Sequence, residues 1–265
     1  MISAYVYTSR RHFARSCALL VAVTFLLAVP SQASTILFTD GTFDLANYLQ
    51  KTYTNNTAAA GATSTLTQSS SSGNPLPSVD FHADWTVNTT WTIFDGLINS
   101  GFTFNPASGS ISGIDYSLDR NTTFTPGSVV LTNAVFNALL LQAGKFYIDQ
   151  ITGPAFLAGT WQTISATGLQ ATDFSLYDFT TNTVDSTQHP DFSTAGSAIN
   201  FGFRTGRGQT SASGLGSFDS LSDNLSITVN AVPEPSSVEL TITALVAGLL
   251  WHWRRSCSWK IRSRT

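Results

Sequence analysis

Between residues 34 and 230 the chain alternates apolar and polar positions in short stretches, the period-two pattern of strands that bury one face. Such stretches recur at 85–94, 97–104, 110–118, 145–151, 160–164, 172–179, 199–204 and 224–229, with Gly, Pro, Asn and Asp between them. Trp85, Val87, Thr89, Trp91 and Ile93 share one strand face, and Phe102 with Phe104, and Ile199 with Phe201 and Phe203, repeat the spacing. The pattern predicts an all-β domain, an antiparallel β-sandwich or a closed equivalent. Residues 129–141 stay open between a short helix and a mixed segment, because Val135, Ala138 and Leu139 have helical spacing. Residues 54–78, rich in Thr, Ser, Ala, Gly and Pro, are expected to form a flexible surface insertion. No internal repeat supports a propeller or solenoid.

Composition agrees with strands. Residues 34–230 contain no Glu or Met and few Lys or Arg, so strong helix formers are scarce. Cys17 and Cys257 both lie outside this body, which must hold together by its core without disulfides. Charge is segregated. Five basic residues (Lys51, Arg120, Lys145, Arg204, Arg207) face fourteen Asp between Ser34 and Val232, while all other Lys and Arg cluster in the first 15 and last 12 residues. A body so acidic repels a phosphate backbone, which excludes nucleic acid as a partner class.

The basic ends have the order of export signals. Arg10, Arg11 and Arg15 precede an apolar core over 17–29 and then Pro30-Ser31-Gln32-Ala33, the pattern of a secretory signal peptide removed by signal peptidase near residue 33. Domain boundaries follow: signal 1–33, body 34–230, tail 231–265. In the tail, Val232-Pro233-Glu234-Pro235-Ser236 leads into an apolar run over 238–253 and then Arg254-Arg255. That run is expected to serve as a transmembrane segment with its positive charges on the cytoplasmic side, although its 16 residues carry Glu239, Thr241 and Thr243.

This three-part ending resembles the PEP-CTERM sorting signal of exported bacterial proteins, with the motif on Pro233, Glu234 and Pro235 and the basic flank on Arg254 and Arg255. The resemblance implies an exosortase-type membrane protease as processing partner and a cell-surface or extracellular destination. The body is similar to lectin-like jelly-roll domains at 38–44 (Phe-Thr-Asp-Gly-Thr-Phe-Asp), 111–117 (Ile-Ser-Gly-Ile-Asp-Tyr-Ser) and 223–229 (Asp-Asn-Leu-Ser-Ile-Thr-Val). Such domains commonly start and end on adjacent strands and include carbohydrate-binding modules.

Catalytic chemistry finds little footing. His82 and His189 belong to no metal-ligand spacing, and no nucleophile elbow, Walker loop or dinucleotide fingerprint occurs. His82 between Asp80 and Asp84 is expected at a polar strand edge or in a loop, and His189-Pro190-Asp191 in a turn. No cofactor is expected beyond a structural calcium ion, for which Asp219 with Asp223, or Asp115 with Asp119, offer hard oxygen donors; turn capping is the competing role for these carboxylates. Tyr48, Tyr53, Tyr147, Trp161 and Tyr177 would stack on sugar rings if exposed and belong to sheet packing otherwise. The chain is therefore expected to be non-enzymatic: an exported surface or extracellular-matrix protein associated with extracellular polysaccharide, or alternatively a carbohydrate-binding module with a discrete site.

Overall fold

The computed structural model describes residues 34–56, 62–85, 89–124, 135–149, 157–212, 216–232, 244–249 and 251–252. Residues 33–232 are grouped as one compact unit. In this unit the described strands are β1 (Ser34–Asp40), β2 (Tyr48–Asn56), β3 (Thr63–Ser69), β4 (Ser78–Trp85), β5 (Thr89–Phe104), β6 (Ser110–Phe124), β7 (Val135–Gln142), β8 (Lys145–Ile148), β9 (Gln162–Leu169), β10 (Ser175–Asp178), β11 (Thr183–Asp185), β12 (Ile199–Ala212) and β13 (Gly216–Val232). They build two sheets. One runs β3-β4-β13-β6-β9 with β1 also on β13; the other runs β11-β10-β8-β7-β12-β5-β2. Every pairing is antiparallel.

The three segments that carry the jelly-roll resemblance meet on neighbouring strands. Phe38 of β1 pairs with Ile227 of β13, which pairs on its other side with Tyr116 of β6. The body thus begins and ends on adjacent strands. β13 takes β4 along 216–222 and β1 along 225–231 of the same edge, and its register against β6 shifts between Asp223 and Ser226, where Asn224 adopts φ 50°.

Burial follows the alternation. Inward residues of both sheets, among them Leu97, Leu118, Phe136, Leu140, Phe201, Phe203, Ile227 and Val229, form the main core. A smaller aromatic cluster of Phe81, Trp85, Trp91, Ile93 and Phe218 fills one end. A third, of Ile98, Leu139, Ile148, Tyr177 and Phe179, lies on the outer side of the seven-stranded sheet, since Ile98 and Leu139 point opposite to the core residues Leu97 and Leu140.

Several expectations change. The stretches at 85–94 and 97–104 are not two strands: β4 ends at Trp85, and β5 runs unbroken from Thr89 to Phe104. The described part of 129–141 is strand β7, because Leu139–Leu141 pair with β8 and Phe136–Leu141 with β12. The expected insertion at 54–78 contains β3, whose Thr and Leu residues fit a half-buried strand and pair along β4. The expected transmembrane tail is also corrected. Among the described residues no helix is long and apolar enough to cross a membrane, and the described helical residues of the tail are 244–249 and 251–252. A helix over the whole apolar run of 238–253 would span about 24 Å at about 1.5 Å per residue, short of a hydrocarbon core of about 30 Å. The expected signal at 1–33 and the motif residues Pro233, Glu234, Pro235, Arg254 and Arg255 lie outside the described residues.

Candidate functional site

The two sheets part at one margin. β2 ends the seven-stranded sheet and β3 ends the six-stranded one, and a cleft of about 350 Å³ opens between them. Alternation along β2 places Gln50, Thr52 and Thr54 on the cleft side, in phase with the core residue Tyr48, while Tyr53 packs on the outer cluster. Thr63, Ser64 and Leu66 of β3 form the facing wall, and Ile93 and Asp95 of β5 the floor. The volume falls within the range of small-molecule sites.

Asp95 is the charged group of this cleft. It occupies the inward stripe between Ile93 and Leu97, where an aliphatic residue would continue the core, and is 2% exposed. Its Oδ1 accepts hydrogen bonds from Gln50 Nε2 at 3.3 Å and from Thr52 Oγ1. Burial raises its pKa, and those two hydrogen bonds act against the rise. Hydroxyl, amide and carboxylate groups therefore converge over the apolar surfaces of Ile93 and Leu66, an arrangement that takes hydroxyl-rich, uncharged ligands.

The predicted carboxylates are placed differently from the sequence pairing. Asp219 and Asp223 lie four residues apart on β13, about 13 Å along an extended strand. Asp219 is held by His82 Nδ1 at 2.6 Å and Thr123 Oγ1 at 3.4 Å. Asp223, fully buried, accepts from the backbone N–H groups of Asn74 and of Asn224, the latter at 2.7 Å. Asp115 accepts from Gly168 N at 2.7 Å and Asn230 Nδ2 at 3.2 Å. The fold instead brings Asp119 beside Asp223 in register, with Asn224 Nδ2 donating to Asp119 Oδ2 at 2.9 Å and Thr163 Oγ1 donating to Asp119 Oδ1 at 2.6 Å. Among the described residues no group of three or more His, Cys, Asp or Glu is arranged to hold a metal ion.

His82 does sit at a polar strand position, but with a partner that sequence proximity hides. Its Nε2 meets Asp84 at 3.0 Å and its Nδ1 meets Asp219 from β13. Burial works to lower its pKa, and the two carboxylates outweigh that and raise it. Nearby Asp80 is pushed up to about 6 by burial and by the charge of Asp219. His189 ties Nδ1 to the carbonyl of Phe174 at 2.7 Å, a link that closes the 174–189 loop.

Most of the aromatic candidates are packing residues. Tyr48, Tyr147 and Tyr177 are buried, while Tyr53 and Trp161 are half-buried. Tyr48 donates to Asp40 at 2.7 Å, and Tyr177 donates to Asn182 at 2.7 Å. On the outer side of the seven-stranded sheet, Arg204 is stacked between Phe94 and Tyr177, 4.4 Å from each ring, and donates to Asn137 Oδ1 at 2.6 and 3.0 Å. Phe179 makes edge contacts with Tyr177 and Phe146. Asp95, Gln50 and Thr52 were absent from the sequence candidates; the available signal was a carboxylate interrupting an inward apolar stripe.

No family model matches the chain, and no curated protein matches it in sequence. Solved structures to which the fold is similar include carbohydrate-binding modules. A family 11 module from Clostridium thermocellum in complex with a β-1,3-1,4-mixed-linked tetrasaccharide shares 15% identity at a TM-score of 0.34, covering 77% of this chain and all of the module. The CBM22-1–GH10 modules of the Clostridium thermocellum endo-1,4-β-D-xylanase 10B, complexed with xylohexaose, share 13% at 0.32 over 71% of this chain, which spans 29% of that chain. A mannan-recognising module, TmCBM27, shares 7% at 0.31, covering 74% of this chain and 99% of the module.

Proposed function

We propose that the β-sandwich is a non-catalytic carbohydrate-binding module of an exported protein, and that the cleft between β2 and β3 is its glycan site. The observation that supports this is the cleft itself: Gln50, Thr52, Thr54, Thr63, Ser64 and Asp95 gathered around Ile93 and Leu66. Sugar hydroxyls come in adjacent donor–acceptor pairs, and a fixed carboxylate beside an amide meets them with charge-assisted hydrogen bonds of about 1.5–3 kcal/mol each. Leu66 on the wall and Ile93 on the floor offer the apolar surface on which the C–H face of a pyranose rests. A discrete cleft favours saturable binding over a diffuse matrix role.

The destination we propose is the cell surface or extracellular space. It rests on the N-terminal signal pattern at 1–33 and the Pro233-Glu234-Pro235 motif, which favour signal peptidase and an exosortase-type protease as processing partners, with no spanning tail invoked. A panel of soluble β-glucans, xylans and mannans titrated into the full chain by calorimetry tests the binding. Saturable heat with at least one neutral polysaccharide, weakened in Asp95→Asn, is expected. Absence of binding across the panel, or full affinity in Asp95→Asn, would defeat the assignment of the cleft.

A further inference from the structure

The carboxylate of Asp95 is served by the protein on one oxygen only. Oδ1 takes both donors, Gln50 Nε2 and Thr52 Oγ1, and among the described residues none donates to Oδ2. A side chain that is 2% exposed and lines an open cleft thus keeps one acceptor oxygen for whatever fills the cleft. Buried acceptors are almost always bonded, so the ligand is the group that completes this one.

No positive charge stands opposite it. Among the described residues the cleft is lined by no Lys, Arg or His, and the described ion pairs both belong to His82. Lys51 lies between Gln50 and Thr52 on β2 and by alternation points to the other face of the sheet. Arg207, opposite Ile93 on β12, carries its guanidinium to the rings of Phe124 and Phe218, 5.8 Å from each. A hydroxyl or amide N–H entering the cleft can donate to Oδ2 and gain a charge-assisted bond. A uronate or sulfate accepts only, and it would set a second negative charge beside the first where water screens little.

Resting on the glycan reading of the cleft, we infer that Asp95 is its specificity-determining residue: it admits polysaccharides whose units carry only hydroxyl and amide groups and rejects acidic ones. The fourteen Asp and five basic residues between Ser34 and Val232 also repel acidic polymers, but that repulsion acts at long range and salt removes it. The exclusion at Asp95 acts at contact and persists in salt.

The test is calorimetric titration of the full chain, at neutral pH, with soluble β-glucan, xylan and mannan, each unmodified, as its carboxymethyl derivative and as its hydroxyethyl derivative. The two derivatives set an anionic against a neutral substituent of similar size. For a polymer that binds, the hydroxyethyl form should bind about 100-fold more tightly than the carboxymethyl form, and the gap should remain at about 0.5 M NaCl. In Asp95→Asn the carboxymethyl form should bind more tightly than it does to wild type while the unmodified polymer binds less tightly, opposite movements that a loss of structure does not produce. Equal affinity for the two derivatives in wild type, whether both bind or both fail, overturns the selection by charge and leaves the glycan site standing, as does a gap that closes in salt. Binding of no unmodified polymer overturns the glycan reading itself, and the selection with it.

Discussion

The cleft between β2 and β3 and the outer side of the seven-stranded sheet hold opposite combinations of chemistry and access. The outer side carries Phe94, Tyr177, Phe179 and Arg204, the residue types that stack on sugars, yet all four are buried. The cleft carries no aromatic side chain and is open. Access is decided by what packs over each strand face. Phe179 folds back over Gly96 so closely that a Cβ there would stand 2.3 Å from its ring, and Tyr177 and Phe146 brace it edge-on. At the cleft the edge strands of the two sheets simply diverge. One region is a small second core and the other the proposed binding site, and each can be perturbed without the other.

The largest effect should come from the backbone contact beneath the outer cluster. A Cβ at Gly202 would lie 1.8 Å from the carbonyl oxygen of Leu97, at the register shift between β12 and β5. Gly202→Ala should therefore destabilise the domain by roughly 3 kcal/mol or more in chemical denaturation; a loss below about 1 kcal/mol would show that the strands separate there easily. Phe179→Ala removes the lid and both edge contacts, and should cost about 3 kcal/mol while glycan affinity at the cleft stays unchanged. A large change in affinity would merge the two regions that the comparison separates.

Asp95→Asn reverses that outcome. Glycan affinity should drop about tenfold, equivalent to about 1.4 kcal/mol, with little loss of stability, since the native carboxylate is already disfavoured by burial. The smallest effect concerns the outer side of the six-stranded sheet. His82 and Asp80 both have pKa values raised in the folded state, so each contributes stability that is present at low pH and lost as pH rises through its folded value. For Asp80 the loss runs from about pH 4 to about 6, and for His82 it begins near pH 6.5 and continues above it. Melting temperature should therefore fall gently between pH 5 and 8, and His82→Gln should flatten the upper part of that slope; an unchanged slope would remove His82 from the account.

The fold was legible where alternation is strict. Phe201 and Phe203 on β12, and Ile227 and Val229 on β13, follow the period-two rule into the core. β3 was hidden because its Thr-Ser-Thr run reads equally as linker and as strand, and only pairing with β4 decides. The sandwich margin was hidden for a related reason: Gln50, Thr52 and Ser64 are ordinary polar residues until the two sheets set them face to face. Asp95 was partly visible as a charge within the stripe of Trp91, Ile93 and Leu97. The pairing of Asp119 with Asp223, and of His82 with Asp219, depends on the register of β13 against β6 and β4, which local sequence does not encode. The apolar run at 238–253 suggested a membrane span by composition, but its length was already short of one.

The most direct test of the central claim is calorimetric titration of the full chain with the soluble polysaccharide panel, wild type beside Asp95→Asn and Phe179→Ala. The account predicts saturable binding of a neutral glycan that weakens about tenfold in Asp95→Asn and survives in the folded fraction of Phe179→Ala. Binding that is lost in Phe179→Ala and intact in Asp95→Asn would place the site on the outer side of the seven-stranded sheet and contradict the account.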